Sequence, residues 1–346
     1  MRRHLNTLYV TTQDAWLSKD GENVVVSVDH KERGRVPLHT IGSIIGFGRV
    51  LVSPPLLGAC AEAGITVNFM TEGGRFWARV EGPISGNVHL RRTQYRWSDD
   101  PTRRDTVIKS IVAGKVLNQR AVLTRAVRDH GDTMPDIERA AITAAADRLA
   151  NIVRRTEKPL DGDQLRGAEG DAGMVYFSVF DHLVRGEKPC FTFAGRSRRP
   201  PMDAVNALLS FVYALLTSDV RGALETVGLD PAVGFLHVDR PGRPSLALDL
   251  MEEFRPFFAD RIVLSLINRR QLTAKDFRIL DNGATLLTED GRKAVLVAYQ
   301  ERKRDEILHP FLDEKITVGL LWFVQAQLLA RHLRGDLDAY PPFIWK

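Results

Sequence analysis

The sequence predicts an α+β chain in which a strand-rich first part is followed by a larger helical part. Short β-branched or aromatic runs fill the beginning, separated by Asp20-Gly21, Arg33-Gly34 and Gly73-Gly74. A loop signal, Ser98-Asp99-Asp100-Pro101, ends that region. Apolar residues at helical spacing dominate the rest of the chain. The 346 residues suit two domains with room for a proper core.

In chain order, strands are expected over Leu5 to Val10, Asn23 to Val28, Ser43 to Phe47, Ile65 to Phe69 and Arg75 to Val80. One helix interrupts them, starting at Ser53-Pro54-Pro55 and running through Cys60 to Ala63, with Gly64 as its stop. The domain boundary falls at 97/98, dividing the chain into 1–97 and 98–346. Beyond it, helical patterns cover 102–129, 135–155, 170–185, 203–217, 245–269 with a kink at Pro256, 273–277 and 313–333. The one β insertion expected there is a strand pair around Asn282-Gly283 and Asp290-Gly291, ending in Ala294 to Tyr299.

Composition narrows the function classes. Only Cys60 and Cys190 occur, which excludes a disulfide framework, a thiolate zinc site or an iron–sulfur cluster, and neither has the pattern of a thiol nucleophile. No phosphate-binding Walker signature points to a nucleotide-driven motor. No apolar run follows the charged start or approaches the ~18 residues of a membrane span, so a cytoplasmic protein is expected. The net charge is a mild +5, but residues 91–130 alone hold ten Lys and Arg against four Asp. Further clusters stand at Arg196, Arg198 and Arg199, at Arg240 and Arg243, and at Arg302 to Arg304. Arginine-rich clusters suit phosphate because the planar guanidinium holds two oxygens at once, and an anionic polymer is the natural partner.

The chemistry concentrates in three places: Glu169 in Arg166-Gly-Ala-Glu-Gly170, His237 in Gly234-Phe-Leu-His237, and Asp249, Glu252 and Glu253 on the stretch Ser245 to Arg255. Carboxylates and an imidazole are a donor set for a divalent ion. As one helix, Ser245 to Arg255 would bring its three acids to one face, where they repel unless a cation is shared. Each place also has a plainer reading: a helix-dipole acid at Glu169, a structural histidine, and a solvated helix face. On Asp203 to Thr217, Asn206, Ser210, Tyr213 and Thr217 line the face opposite an apolar stripe, a polar seam toward another helix or a ligand.

These motifs, in their order, closely resemble the Cas1 family of CRISPR spacer-acquisition proteins. The match runs through Gly167-Ala-Glu169-Gly170 with Tyr176-Phe177 and through Arg196-Ser-Arg-Arg-Pro200-Pro201-Met-Asp203-Ala-Val-Asn206-Ala-Leu-Leu-Ser210-Phe-Val-Tyr213. It continues in Gly234-Phe-Leu-His237 and Gly242-Arg243-Pro-Ser245 to Pro256. Leu5-Asn-Thr-Leu-Tyr-Val-Thr-Thr12 looks like the subtype I-C branch, and Lys115 with Asn118-Gln119 is also similar to family members.

The resemblance implies a small, β-sandwich-like N-terminal domain for dimerisation and partner contact, followed by a larger all-α catalytic domain. It also implies a DNA endonuclease and integrase that inserts prespacer DNA into the CRISPR array by 3′-hydroxyl attack on a repeat phosphodiester. Mg²⁺ or Mn²⁺ would be held by Glu169, His237 and Glu252, with Asp249 behind them or as an alternative ligand. The DNA-contact candidates are Lys115, Arg196, Arg198, Asn206, Ser210, Tyr213, Arg243 and Arg255. The implied partners are double-stranded DNA, a second copy in a homodimer, a Cas2 dimer completing a heterohexamer, and a Cas4-type nuclease. A generic metal-dependent nuclease and a non-catalytic DNA-binding scaffold are the alternatives.

Overall fold

A computed structural model describes residues 6–80, 82, 88–197 and 200–345. The chain opens with β1 (Asn6–Val10), β2 (Ala15–Asp20), β3 (Asn23–Val28), β4 (Lys31–Pro37), β5 (Ile41–Phe47) and β6 (Val50–Val52). Helix α1 (Pro54–Ala63), β7 (Thr66–Met70) and β8 (Phe76–Val80) complete this part. Leu5, expected to open the first strand, lies outside the described residues.

Two four-stranded sheets result, in the orders β1-β5-β7-β8 and β4-β3-β2-β6. In the first, β1, β5 and β7 run parallel and β8 closes the edge antiparallel. Its central strand β5 is buried along nearly its whole length because both its faces are covered, whereas the edge strand β8 is largely exposed. Ile44 and Val67 join a small core with Leu17 and Val24 of the second sheet and Leu56 and Cys60 of α1. Ile45, Phe47 and Met70 enter the larger helical core instead. This sheet is thus a wall between two cores. Three strands of the second sheet escaped the sequence reading: β2 alternates buried Ala15 and Leu17 with exposed Trp16, β4 is a charged edge strand, and β6 is three residues long.

The helical part comprises α2 (Val88–Asp99), α3 (Pro101–His130), α4 (Asp136–Thr156), α5 (Gly162–Ser178), α6 (Ala204–Val227), α7 (Ser245–Met251) and α8 (Arg261–Asn268). The hairpin β9 (Phe277–Ile279) and β10 (Thr285–Leu287) leads to α9 (Glu289–Arg304), and the hairpin β11 (Glu306–His309) and β12 (Glu314–Thr317) to α10 (Leu321–Arg334). The Asp100 side chain accepts the Thr102 and Arg103 N–H groups and starts α3, with Pro101 in its first turn. The buried positions of α3 include Lys115, Asn118 and Gln119 among Ile111, Val112, Val116 and Val122. Helix α6 is apolar and long enough to cross a membrane by length and composition, yet it is a core helix here, buried over most of its apolar stretch.

The structure departs from the sequence reading at several places, among them 273–277, where a 3-10 turn, Ala274–Asp276, leads into β9. Helix α2 packs on α3 and α10, so a helix begins at Val88 within the stretch assigned to the strand-rich domain. Asp161 and Gln164 form a capping box that starts α5 at Gly162, which puts Glu169 in mid-helix rather than ahead of one. The stretch 245–269 is not one kinked helix, because α7 ends at Met251 and a π-helical turn, Arg255–Asp260, intervenes at Pro256. Residues 294–299 are helical despite their β-branched content: Thr288 caps Gly291 N–H, and Val295, Leu296, Tyr299 and Lys303 are buried at helical spacing. Finally, 313–333 begins as strand, and helix starts only with a 3-10 turn, Val318–Leu320, that leads into α10. With two hairpins inside it, the larger part is not all-α.

Candidate metal and catalytic site

The segment Gly234 to His237 is folded around one carboxylate. Asp249 Oδ2 accepts the Phe235 N–H at 2.6 Å and the Leu236 N–H at 3.0 Å, while Oδ1 accepts the His237 N–H at 2.8 Å. The His237 ring closes the set, with Nδ1 2.7 Å from Asp249 Oδ1. With Asp249 Oδ1 as the acceptor facing Nδ1, the tautomer assigned is the one with the proton on Nδ1 and the Nε2 lone pair pointing away. Gly234 is required by the close approach: a Cβ there would fall 2.8 Å from Asp249 Oδ2 and from Ser245 Cβ. Arg166 of α5 ties the segment down from the other side, its Nε donating to Leu236 O at 2.9 Å.

Glu252 lies one residue past α7, buried and bracketed by cations. Arg255 Nη1 is 2.7 Å from its Oε1, and Lys115 Nζ is 2.8 Å from its Oε2. Lys115 Nζ also bonds Glu169 Oε1, so one ammonium joins α3 to α5 and to the end of α7. His237 Nε2 stands 4.0 Å from Glu252 Oε1. Burial would raise the Glu252 carboxyl, but Arg255 and Lys115 overcome it and hold the group well below the usual carboxylate range. Burial likewise opposes the Lys115 charge, and Glu252 and Glu169 more than offset it, leaving its pKa raised. Both groups are therefore charged at neutral pH.

The three downstream acids do not share a face. With α7 ending at Met251, Asp249 turns to the 235–237 backbone, Glu252 to Lys115 and Arg255, and Glu253 into the core. Glu253 Oε1 accepts from Tyr340 Oη at 2.5 Å, and Oε2 accepts the Phe343 N–H at 2.7 Å and Gln325 Nε2 at 3.1 Å. Asn118 completes this anchor, donating to Glu253 O and Phe343 O and accepting the Trp345 N–H. Burial pushes the Glu253 carboxyl up to about 8 despite these hydrogen bonds from Tyr340, Phe343 and Gln325. It fastens the chain end and holds no place among the metal candidates.

Arg255 is also influenced by a further buried acid that the sequence reading missed, Asp260. Asp260 Oδ1 accepts from Tyr213 Oη at 2.6 Å. The Tyr213 ring is flanked by two guanidinium groups, Arg255 at 4.9 Å and Arg196 at 5.3 Å from its centroid. Burial lifts the Asp260 carboxyl to about 6, and hydrogen bonding and the two arginines only partly counter it. The available signal was an acid directly after the apolar run Phe257-Phe258-Ala259, where a charge has no water to face.

The remaining candidates divide. Asn206 is 0% exposed, and its amide is spent on Gly195 O, Asp203, Arg196 and the Ser197 N–H. It braces the 195–197 loop and offers nothing to DNA. The Ser210 hydroxyl is buried without a hydrogen-bond partner. Arg243 is half-buried at the rim beside exposed Arg240, and burial together with Arg240 lowers its pKa, the mark of an electropositive edge. Arg198 lies outside the described residues.

Among the described residues no three His, Cys, Asp or Glu side chains are gathered to hold a metal ion. The donor chemistry nevertheless fits one. Two carboxylates meet at the Lys115 ammonium, the His237 imidazole stands 4.0 Å from the second of them, and Glu252 Oε2 pairs with Lys115 without taking a well-aligned hydrogen bond.

Comparison with known proteins places the chain. Residues 8–301 match the family model described as CRISPR associated protein Cas1. A CRISPR-associated endonuclease Cas1 of Rhodospirillum rubrum is 59% identical over 100% of both chains, and one of Chlorobaculum tepidum is 54% identical over 100% of both. A Cas4/Cas1 fusion of Geobacter sulfurreducens is 36% identical over 97% of this chain and 60% of its own length. Among solved structures, a casposase bound to integration product superimposes with TM-score 0.84 at 21% identity, covering 99% of this chain and 95% of that one. A Cas6-RT-Cas1–Cas2 complex does so with TM-score 0.81 at 22% identity, over 99% of this chain and 36% of that one. At those identities the structural likeness is one of fold, a strand-rich region followed by a helical one. The full-length likeness to curated relatives goes further, and the chain belongs to the CRISPR-associated Cas1 family.

Proposed function

We propose that this protein is the metal-dependent endonuclease and integrase of CRISPR adaptation, joining prespacer DNA to the repeat. The observation that carries the reading is the meeting of Glu169 and Glu252 at one buried ammonium, with His237 Nε2 4.0 Å from Glu252. The proposed ligands of Mg²⁺ or Mn²⁺ are Glu169, His237 and Glu252. A bound ion would polarise a phosphoryl oxygen and acidify the attacking hydroxyl. An imidazole ligand favours Mn²⁺, since Mg²⁺ prefers oxygen donors.

The chain's own residues prepare that chemistry. Asp249 spends its oxygens on backbone N–H groups and His237 Nδ1, so it orients the ligand and leaves ligation to Nε2. Arg255 fixes Glu252, and Tyr213 with Asp260 fixes Arg255. Arg243 and Arg196 neutralise phosphate charge at the rim. In strand transfer a prespacer 3′-oxygen bonds to the repeat phosphorus as the phosphorus–oxygen bond of the repeat breaks, its electron pair leaving with the repeat strand's 3′-oxygen. Water in place of the hydroxyl gives hydrolysis at the same site.

The assembly proposed is a homodimer joined through the strand-rich part, pairing with Cas2 and double-stranded DNA. A Cas4-type nuclease is a further partner, in keeping with the fused relative. Incubating a 3′-hydroxyl duplex with a repeat-bearing plasmid tests the reading. Joined molecules that require divalent metal are expected, and they should vanish in Glu169→Ala, His237→Ala and Glu252→Ala while duplex binding persists. Nicks without joining would reduce the protein to a nuclease, and undiminished joining in any variant would remove that residue from the site.

A further inference from the structure

We infer that Lys115 is an internal counter-cation that holds the metal seat closed, so that a divalent ion enters only as this ammonium withdraws. The inference rests on the ligand set proposed above and concerns what occupies its centre. Lys115 projects from the buried side of α3, its side chain 8% exposed, and touches both carboxylates of the set. It stands at the point the two acids share, where an ion bound by both must sit. Without it, Glu169 and Glu252 would be neighbouring charges with only Arg255 against them, and Glu252 is 1% exposed. The ammonium therefore stabilises the ion-free protein and keeps the acids together. The flexible four-carbon stem lets the charge retreat without moving α3, which a guanidinium fork would not allow as readily.

Affinity and stability then respond in opposite directions. Apparent metal affinity is reduced by the fraction of time the seat is closed, and removal of the ammonium removes that handicap. Metal-free stability falls on the same removal, because the carboxylates lose their partner.

The test compares the whole protein with Lys115→Met, Lys115→Gln and Glu169→Gln. Mn²⁺ dissociation constants are measured from the electron paramagnetic resonance of free Mn²⁺, and Tm is measured with and without the ion. Lys115→Met should bind Mn²⁺ about tenfold more tightly than the parent, as for a seat open about a tenth of the time. Its metal-free Tm should fall and recover on adding Mn²⁺, while the parent's Tm moves less. Folding of Lys115→Met only in the presence of Mn²⁺ equally supports the counter-cation role, and if it folds in neither condition Lys115→Gln is judged by the same affinity criterion. Equal or weaker Mn²⁺ binding by the Lys115 variants, with parental binding that Glu169→Gln weakens, overturns the counter-cation role alone. If Glu169→Gln binds Mn²⁺ as well as the parent does, the seat is misplaced and both readings fall.

Discussion

His237 Nδ1 lies 2.7 Å from Asp249 Oδ1, and the same carboxylate closes the N–H groups of Phe235, Leu236 and His237. One buried acid thus sets both the backbone of the loop and the tautomer of its histidine. Asp249→Asn keeps the shape but offers one acceptor oxygen and introduces a donor where donors already converge. Strand joining should fall about 10- to 100-fold, the usual cost of losing the outer partner of a ligating histidine. His237→Ala should abolish it, and a titration of joining rate against Mn²⁺ should show Asp249→Asn partly rescued at high metal.

Glu253 predicts a contrast between two substitutions. Glu253→Gln can donate to Tyr340 Oη and still accept from the Phe343 N–H and Gln325, so denaturant unfolding should show a loss of at most about 1 kcal/mol. Glu253→Ala orphans all three buried partners and opens a cavity, which should cost roughly 3 kcal/mol or more. Equal losses for the two would show that the chain end is not anchored through these bonds.

Asp260 predicts a pH effect of defined sign. Its folded-state carboxyl is raised from 3.8 to about 6, chiefly by burial, so the native state holds the proton longer than the unfolded chain. The stability this contributes is complete below pH 3.8 and is lost as pH rises through about 6. Asp260→Asn keeps an acceptor for Tyr213 without a charge. The stability of the parent relative to this variant should therefore fall between pH 4 and 7, by roughly 3 kcal/mol at most. A difference that is flat with pH would show that Asp260 does not titrate in this range.

Arg243 predicts a change in salt dependence. As a half-buried rim guanidinium it should make one phosphate contact. Arg243→Ala should weaken duplex binding about equally for all sequences and reduce the slope of log affinity against log salt by about 1. An unchanged slope would place the DNA elsewhere.

The parts of this structure that could be read from sequence are those fixed by local chemistry. Asp100-Pro101 starts α3, Gly64 in the left-handed region at φ 63° stops α1, and Asn282-Gly283 turns the β9–β10 hairpin. What escaped depends on tertiary context. The β-branched run Ala294 to Tyr299 folds as helix because one face of α9 is buried. The acids Asp249, Glu252 and Glu253 diverge because the helix ends before the second of them, which no spacing rule foresees. The place of Lys115 needed the partner helix α5, fifty-four positions along the chain. Sequence named candidate residues, but the turning of one carboxylate to the 235–237 backbone, one to Lys115 and one to the 340–343 segment came from packing.

Glu169, His237 and Glu252 are proposed to hold one divalent ion in the place that Lys115 occupies between the two carboxylates. Anomalous scattering from crystals of the protein grown with Mn²⁺ measures this directly. The predicted result is a single strong peak among the two carboxylates and His237 Nε2, with Lys115 Nζ withdrawn and Asp249 still on the 235–237 backbone. A peak at any other residues, or Lys115 still between Glu169 and Glu252 with no peak beside it at saturating Mn²⁺, would contradict it.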